Sequence, residues 1–197
     1  MKNRSLAYIT KVGILAALAT VLMFIEFPLP FIAPPFYELD FSELPVLIGS
    51  FALGPTAGVL IELVKNLLNV LLEGTDTAFV GEFANFLMGC AFVLPAAIWY
   101  RVKKTRKSAL CGMILGTVTL ALAGALLNYF VLIPMYSTLY NLPLDVIVGM
   151  GTKITPAISN LFTLVLLAVT PFNLIKGVLI SALTFVLYKR VSPLLKL

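Results

Sequence analysis

The sequence predicts an all-α polytopic membrane protein with six transmembrane helices and with both termini in the cytoplasm. Of its 197 residues, 60% are apolar and only 12% are charged, and the mean hydropathy is +1.04. A soluble domain is nearer half apolar and a quarter charged, so this chain lacks the polar surface that a globule in water needs. A transmembrane helix takes roughly 20 apolar residues. We therefore expect residues 1–197 to form one integral-membrane domain.

The composition favours neither catalysis nor metal binding. The chain has no histidine, the commonest general base and metal ligand. Its cysteines, Cys90 and Cys111, each lie in an apolar run and are expected to be buried thiols. No GxxxxGK[ST] motif for nucleotide phosphates occurs, so we do not expect this chain to harness ATP itself.

The apolar runs and the basic residues together predict the topology. The first run has no cleavage site of a signal peptide and is expected to remain as the first span. The positive-inside rule places the three clusters of basic residues in the cytoplasm. The clusters are Lys2, Arg4 and Lys11; Arg101, Lys103, Lys104, Arg106 and Lys107; and Lys189, Arg190 and Lys196. The apolar runs are Leu6–Ile25, Leu44–Leu72, Val80–Tyr100, Ala109–Ile133, Val146–Val169 (interrupted) and Phe172–Leu187.

The run Leu44–Leu72 is expected to form two helices rather than one. The rule requires an even number of crossings between the N-terminus and the Arg101–Lys107 loop, and a single helix here would make that number odd. Gly54-Pro55 offers a break, because proline ends one helix and can begin the next. Splitting the run there gives an even number of crossings.

The stretch Pro134–Pro171 is expected to form an outer loop with one or two short or interfacial helices, or else a re-entrant hairpin. Pro171 is then expected to begin the last helix on the outer side. Asn173 and Lys176 would lie three residues apart on one face of its outer turns. Lys176 could snorkel to the headgroups, but a ligand contact is the favoured interpretation, because an outer positive charge departs from the charge pattern of this chain.

The predicted topology places acidic residues on the outer side. Within the spans, charges remain at Glu62, Lys65 and Lys176, and Glu62 and Lys65 can pair on one helix face. The polar face of this helix either holds a structural ion pair or lines a polar cavity with its part from Asn66 through Asn69 to Glu73. The acids assigned to the outer side or its boundary are Glu26, Glu38, Asp40, Glu43, Glu73, Asp76, Glu82 and Asp145.

Small residues follow one face of the first helix. Gly13, Ala16, Ala17 and Thr20 fall within roughly 100° of arc. A face without side-chain bulk lets another helix approach closely, and in lipid such packing drives association. The face is either packed within this chain or a docking face for a partner subunit.

The outer segments carry the groups of a small-molecule pocket. Phe27–Tyr37 is rich in proline and aromatic residues, which predicts a stiff lid, and it leads into Leu39–Glu43. Thr77–Asn85 is a second such segment, and Asn128-Tyr129 adds an amide and an aromatic ring near the outer end of a helix. Aromatic faces, amides and a lysine are typical of a pocket with an apolar body and a few fixed polar groups.

Several of these segments resemble the substrate-binding component of the energy-coupling factor (ECF) vitamin transporters. The similarity is carried by Leu39–Pro45, Gly49–Pro55, Lys65–Asn69 and Gly81–Leu87. Two further segments, Asn128–Pro134 and Pro171–Gly177, are similar to the riboflavin-specific type in particular. The resemblance covers nearly the whole chain, and Leu142–Thr170 matches it least.

The resemblance implies a six-helix S-component fold and capture of riboflavin from outside the cell. It implies a complex with a transmembrane coupling subunit and two cytosolic ATPase subunits, and toppling of the binding subunit in the membrane. No cofactor is expected, because riboflavin is the transported ligand; a related flavin (FMN or FAD) or another vitamin is the alternative. The small-residue face of the first helix would dock the coupling subunit through Gly13, Ala16, Ala17 and Thr20.

The resemblance also implies a division of roles among the ligand-binding residues. Asn128, Asn173 and Lys176 would bind the ribityl hydroxyls or the polar ring edge. The neighbourhood of Leu39 and the segment Gly81–Asn85 would hold the isoalloxazine ring. The full set of expected ligand-binding residues is Leu39, Asp40, Phe41, Asn69, Gly81, Phe83, Ala84, Asn85, Asn128, Tyr129, Asn173 and Lys176.

Overall fold

The computed structural model describes residues 2–75 and 77–195 as a helical bundle. The side chains of residues 2–4 and 192–194 are outside that description. Four charged residues named in the sequence analysis therefore have no described side chain: Lys2, Arg4, Asp76 and Lys196. The helices are α1 (Lys2–Met23), α2 (Glu43–Leu53), α3 (Pro55–Glu73), α4 (Val80–Val102), α5 (Arg106–Leu127), α6 (Ile133–Leu139), α7 (Leu144–Thr152), α8 (Leu161–Leu164) and α9 (Thr170–Leu195).

Within the described residues, five helical stretches are long and apolar enough to cross a membrane. They are Ser5–Met23, Pro55–Glu73, Val80–Val102, Arg106–Leu139 and Leu161–Val191. The helix α2, Glu43–Leu53, is apolar but shorter, and its 11 residues extend roughly 16 Å. The predicted break is confirmed, because α2 ends at Leu53 and α3 begins at Pro55, while Gly54 takes a φ of 109° that favours glycine.

Two π-helical segments join helices into longer rods. Asn128–Leu132 connects α5 to α6, and Val165–Val169 connects α8 to α9. Each lies just before a proline, Pro134 or Pro171, whose missing N–H would otherwise break the ladder of hydrogen bonds. The prediction that the last helix begins at Pro171 is therefore wrong: the rod begins at Leu161, since the π-helical turn accommodates the proline.

The connecting region is shorter than the predicted loop Pro134–Pro171, because the first rod continues to Leu139 and the second begins at Leu161. Between the two rods, α7 is a short helix in a connecting region, as expected for this stretch. One departure from an all-α fold is a minimal antiparallel pair, β1 (Phe27–Pro28) with β2 (Glu38–Leu39), which closes the segment between α1 and α2 into a hairpin. The expectation of buried thiols is wrong for Cys111, which is exposed on α5, whereas Cys90 is half-buried.

The two ends of the bundle differ in chemistry. One end, called the basic end, carries the Arg101–Lys107 loop between α4 and α5. The last turns of α9 contact α1 and α4 there, because Lys11 donates to the carbonyl of Leu195 at 3.1 Å and the hydroxyls of Tyr100 and Tyr188 lie 2.7 Å apart. The opposite end, called the loop end, holds the hairpin, the start of α4 and the α6–α7 region.

Glycines let α4 and α5 approach at backbone distance. A Cβ placed on Gly112 would lie 2.6 Å from the carbonyl oxygen of Ala96, and one on Gly116 would overlap the carbonyl of Phe92. Such approach gives the van der Waals packing that stabilises helices in lipid. By contrast, a Cβ on Gly13 of α1 would meet nothing within 4 Å.

Substitution of these glycines by alanine should therefore have opposite effects. We expect Gly112→Ala to lower stability by about 1–3 kcal/mol, because a backbone carbonyl cannot move aside without separating two helices. Gly13→Ala should leave stability unchanged or raise it, because alanine favours the helix. Thermal unfolding in detergent measures both, and equal losses in the two variants would contradict the packing described.

Candidate ligand-binding site

Two buried ionic groups lie side by side towards the loop end. Lys65 of α3 is wholly buried, and its Nζ lies 2.9 Å from Glu43 Oε1, 2.9 Å from the Glu62 carboxylate and 3.2 Å from Ser42 Oγ. These contacts use all three donors of the ammonium group. The predicted Glu62–Lys65 pair is thus present. Gly89 of α4 packs on it, since a Cβ there would lie 2.5 Å from the Glu62 carboxyl carbon.

A second ion pair joins the hairpin segment to the last rod. Lys176 Nζ of α9 donates to Asp40 Oδ2 at 2.7 Å, and the backbone N–H of Ser42 donates to Asp40 Oδ1 at 2.7 Å. Burial alone would raise the pKa of Asp40, but the positive charges of Lys176 and Lys65 and these hydrogen bonds lower it to about 2. The carboxylate therefore anchors the segment between α1 and α2 onto α9.

Tyr37 contacts Asn128, one of the two amides that were predicted to bind a ligand. Its hydroxyl donates to Asn128 Oδ1 at 2.6 Å, and its ring lies 5.7 Å from that of Phe172. Burial raises the pKa of Tyr37, so the phenol stays a donor. Asn128 and Asn173 are both 2% exposed, and their Nδ2 atoms donate to Gly124 O at 2.8 Å and Val169 O at 2.9 Å. The amides thus lie beneath the segment, held by it and by their own helices.

A cavity of about 500 Å³ opens on the other side of the same segment. Phe36 and Glu38, on either side of Tyr37, line it together with Thr77. Its remaining walls are aromatic and apolar side chains of α6, α7 and the segments around them: Ile133, Tyr136, Tyr140, Leu142, Ile147 and Met150. The segment between α1 and α2, called loop 1 (residues 24–42), therefore separates an apolar cavity from a polar cluster.

The rim of this cavity is acidic. Partial desolvation and the neighbouring Glu38 raise the pKa of Glu26, which is exposed on the surface of loop 1, to about 7. Two carboxyl groups thus lie close together in loop 1, and the one that lines the cavity, Glu38, disfavours an anionic group there.

The other predicted ligand-binding residues fall into three groups. Leu39, Phe41 and Ala84 pack in the interior, where Leu39 and Phe41 belong to loop 1. The backbone N–H of Gly81 donates to Thr77 Oγ1 at 2.9 Å, which ties the start of α4 to the cavity wall, and Asn69 donates to Glu73 at 3.1 Å.

Three more of these residues differ in exposure. Asn85 has a buried Oδ1 with no hydrogen-bond partner among the described residues, which leaves an acceptor for a ligand. Phe83 and Tyr129 are 63% and 36% exposed and line no part of the cavity. The structure does not bring these two rings to the cavity or to the amides.

Sequence reasoning missed the α6–α7 wall. Tyr136 and Tyr140 are four residues apart, with ring centroids 6.0 Å apart, and both line the cavity. That spacing, just after Pro134, was the available signal, because residues four apart share one helix face. Ile147 and Met150 of α7 carry no signal that separates them from ordinary core residues.

The small-residue face of α1 divides between two surroundings. Ala16 and Thr20 are buried in the bundle, where Thr20 Oγ1 donates to Ala16 O at 2.9 Å. Gly13 and Ala17 are exposed. Of the four residues predicted to dock a partner, only Gly13 and Ala17 therefore lie on the surface of this chain.

The site contains no recognisable catalytic machinery among the described residues. Across residues 2–75 and 77–195, no group of three or more Cys, Asp or Glu side chains is placed to hold a metal ion. The arrangement offers hydrogen-bond donors, acceptors and aromatic faces, which are the groups typical of a small-molecule pocket.

Comparisons with known proteins agree with this arrangement. The family model described as "ECF transporter, substrate-specific component" matches residues 7–188. The riboflavin transporter RibU of Staphylococcus aureus (strain TCH60) is 41% identical over 185 residues, which are 94% of this chain and 90% of that protein. The riboflavin transporter FmnP of Bacillus subtilis (strain 168) is 31% identical over 92% of this chain and 90% of that protein.

A solved structure is similar over the whole chain. It is described as "Structure and mechanism of the S component of a bacterial ECF transporter", and it covers 100% of both chains with a TM-score of 0.75 and 38% identity. Fold and site thus define a multi-pass bacterial membrane protein that is a transporter subunit rather than an enzyme. The chain belongs to the family of substrate-specific (S) components of ECF transporters.

The Asp40–Lys176 pair predicts a pH dependence of stability. The pKa of Asp40 is lower in the folded chain than the ordinary value of 3.8, so the pair stabilises the fold above pH 4 and loses this contribution as the pH falls towards 2. We expect Asp40→Asn to cost at least about 2 kcal/mol at pH 7, and the difference from wild type should shrink by about 2 kcal/mol between pH 4 and pH 2. Unfolding of wild type and variant at several pH values measures the difference.

Asp145→Asn is the matched control, because Asp145 is exposed on α7 and makes no ion pair among the described residues. It should change the free energy of unfolding by less than about 1 kcal/mol, the size of a helix-terminus effect, across this range. A constant difference between wild type and Asp40→Asn from pH 7 to pH 2 would refute the charged pair.

Proposed function

We propose that this chain is the riboflavin-binding S component of an ECF importer, which captures the vitamin with high affinity outside the cell and delivers it across the membrane. The observation that carries this proposal is the polar cluster of Asn128, Asn173 and Lys176 beneath loop 1, beside an aromatic cavity, in a chain whose curated relatives are riboflavin transporters. Six spans with both termini in the cytoplasm are part of the proposal, with α2 as the short span.

The two parts of the site match the two parts of riboflavin. The flat isoalloxazine ring needs an apolar, aromatic slot, which Phe36, Tyr136 and Tyr140 offer in a cavity of about 500 Å³. The ribityl chain carries hydroxyls, which need donors and acceptors. Lys176 has donors beyond the one given to Asp40, and Asn85 has a free acceptor.

Loop 1 would act as the lid of this site. The hydroxyl of Tyr37 donates to Asn128, and Phe36 and Glu38 form part of the cavity wall. Displacement of loop 1 would therefore join the cavity to the amides. Closure over the ligand would then satisfy the polar groups inside the protein, which a subunit that topples in lipid requires. The ligand favours the closed form only by the free energy of its extra contacts there.

The same site favours riboflavin over its phosphorylated derivatives. A phosphate group on FMN or FAD would need positive partners, whereas the rim of the cavity carries Glu38 with Glu26 beside it. Lys153 of the connecting region is exposed, and none of the ion pairs among the described residues includes it. FMN, FAD and other vitamins are therefore the alternative ligands, and the titration below compares their binding with that of riboflavin.

ATP hydrolysis is assigned to partner subunits. The proposed complex contains a transmembrane coupling subunit and two cytosolic ATPase subunits. This chain would meet the coupling subunit through a strip of α1 formed by the exposed Gly13 and Ala17. Large apolar side chains flank this strip, among them Ile9, Ile14 and Leu18, which are 63%, 63% and 48% exposed. Small residues between large ones let a second helix approach closely.

Substitution of Lys176 should weaken riboflavin binding. A hydrogen bond to a charged group contributes about 1.5–3 kcal/mol, so we expect Lys176→Ala to raise the Kd by about tenfold to more than a hundredfold. Titration of the purified, flavin-free chain by quenching of riboflavin fluorescence measures this. Lys153→Ala should bind like wild type, and FMN, FAD and thiamine, added as competitors, should displace riboflavin only at higher concentrations than riboflavin itself.

Two outcomes would contradict the assignment. Riboflavin that fails to bind wild-type chain shown to be folded would exclude the function. Equal affinity of Lys176→Ala and wild type would leave a flavin binder but would remove Lys176 from the site.

Substitution of Ala17 should separate capture from assembly. We expect Ala17→Leu to abolish co-purification with the coupling subunit and the ATPases, because a leucine fills the strip that a partner helix would approach. Riboflavin binding by the isolated variant should match wild type, since Ala17 is exposed and lines no part of the cavity. Cys111→Leu, on the exposed face of α5, is the control and should assemble normally. Normal assembly of Ala17→Leu would refute docking through this strip.

A further inference from the structure

The basic end of the bundle holds a cationic cavity that the transport function does not use. The cavity, of about 160 Å³, lies between the ends of α4 and α9 and the start of α5. Lys104, Arg106 and Lys189 line it, and no acidic side chain does. None of the ion pairs among the described residues includes any of the three. Positive charges gathered without a counter-charge favour an anion.

The start of α5 adds to this positive potential. The helix begins at Arg106, and Thr105, whose side chain accepts from the N–H of Ser108, caps it. The first N–H groups of a helix have no partner within it and carry a partial positive charge. Helices usually have acidic residues in their first turn, but this 22-residue helix has none there and begins with Arg106 and Lys107. A bound anion would offset this unfavourable arrangement.

A buried hydroxyl in the cavity wall has no partner. Thr184 of α9 lines the cavity and is 0% exposed, and its Oγ1 makes no hydrogen bond within the described part of the chain. Threonines in helices commonly donate to the carbonyl four residues earlier, as Thr20 and Thr138 do here. Because an unpaired buried hydroxyl is costly, Thr184 indicates an acceptor that enters the cavity.

An apolar groove continues from this cavity along α5 and α9. It has a volume of about 320 Å³, and Met113 and Phe185 line both the groove and the cavity. Its other walls include Ile114, Val118 and Val178, which are 57%, 46% and 60% exposed. From Leu110 to Val118 the groove follows α5 for roughly 12 Å. The combined feature has a cationic end and an apolar body.

We propose that the cavity and the groove form a binding site for an anionic phospholipid. The phosphate group would lie among Lys104, Arg106 and Lys189 at the start of α5, where Arg106 can donate two parallel hydrogen bonds. One acyl chain would lie in the groove between α5 and α9. The headgroup of a zwitterionic lipid carries a cation as well as the phosphate, and the three cations of the cavity would repel it. Phosphatidylglycerol carries the phosphate without a cation. The bound lipid would join the α4–α5 turn to the end of α9.

Lipid-dependent stability of the full chain tests this proposal. The purified chain in detergent is heated with phosphatidylglycerol, phosphatidylcholine or inorganic phosphate, and bound lipid is counted by native mass spectrometry. We expect phosphatidylglycerol alone to raise the unfolding temperature and to remain bound. In the triple variant Lys104→Gln, Arg106→Gln, Lys189→Gln, retention of phosphatidylglycerol should fall about tenfold or more, because each lost charge-assisted hydrogen bond weakens binding.

Two comparisons separate this site from general surface charge. The control triple variant Lys103→Gln, Lys107→Gln, Arg190→Gln removes as much positive charge from the same end and should retain the lipid. Ala182→Phe keeps every charge but narrows the groove, since Ala182 is an exposed residue of its wall, and should lose the lipid. Circular dichroism confirms that each variant is folded.

Three results would overturn the proposal. The first is equal stabilisation by phosphatidylglycerol and phosphatidylcholine. The second is equal retention of lipid by the two triple variants. The third is stabilisation by inorganic phosphate that equals that by phosphatidylglycerol, because it would mark a site for a free anion with no role for the groove.

Discussion

The fold depends on one constraint: a charge within a membrane-embedded bundle must find its partners inside the protein. Lys65 meets this constraint with Ser42, Glu43 and Glu62, which use each of its three donors. Asp40 continues the arrangement to Lys176 on the last rod. Breaking one member of such a buried set leaves an unpaired charge, which is far more costly than the pair is stabilising. The contacts therefore fix α2, α3, α9 and loop 1 relative to one another.

This constraint also shapes how a ligand could bind. In the described structure Tyr37 donates to Asn128 and Lys176 donates to Asp40, so these polar groups beneath loop 1 are paired with one another. A bound vitamin would have to replace or extend these contacts, since polar groups left unpaired would cancel its gain. Loop 1 thus has two roles. Its own side chains form hydrogen bonds with the polar groups of the site when the loop lies over them, and its movement would expose the same groups to a ligand.

Sequence patterns predicted the parts of the fold that follow from hydropathy and charge. The break at Gly54-Pro55 and the Glu62–Lys65 pair follow from local rules and are present. Pro171 misled the prediction, because a π-helical turn before a proline depends on packing that local rules do not contain. Lys176 lies 136 residues from Asp40 in sequence, and Tyr37 lies 91 residues from Asn128, so only the folded chain brings these partners together. The α6–α7 wall was missed because apolar wall residues look like core residues.

The most direct test of the account is a crystal structure of this chain with riboflavin bound. The account predicts the isoalloxazine ring between loop 1 and Tyr136, with the ribityl hydroxyls within hydrogen-bond distance of Asn173 and Lys176 and with loop 1 closed over them. Riboflavin located at the basic end or on the lipid-facing surface, with the polar groups beneath loop 1 still paired to each other, would contradict it.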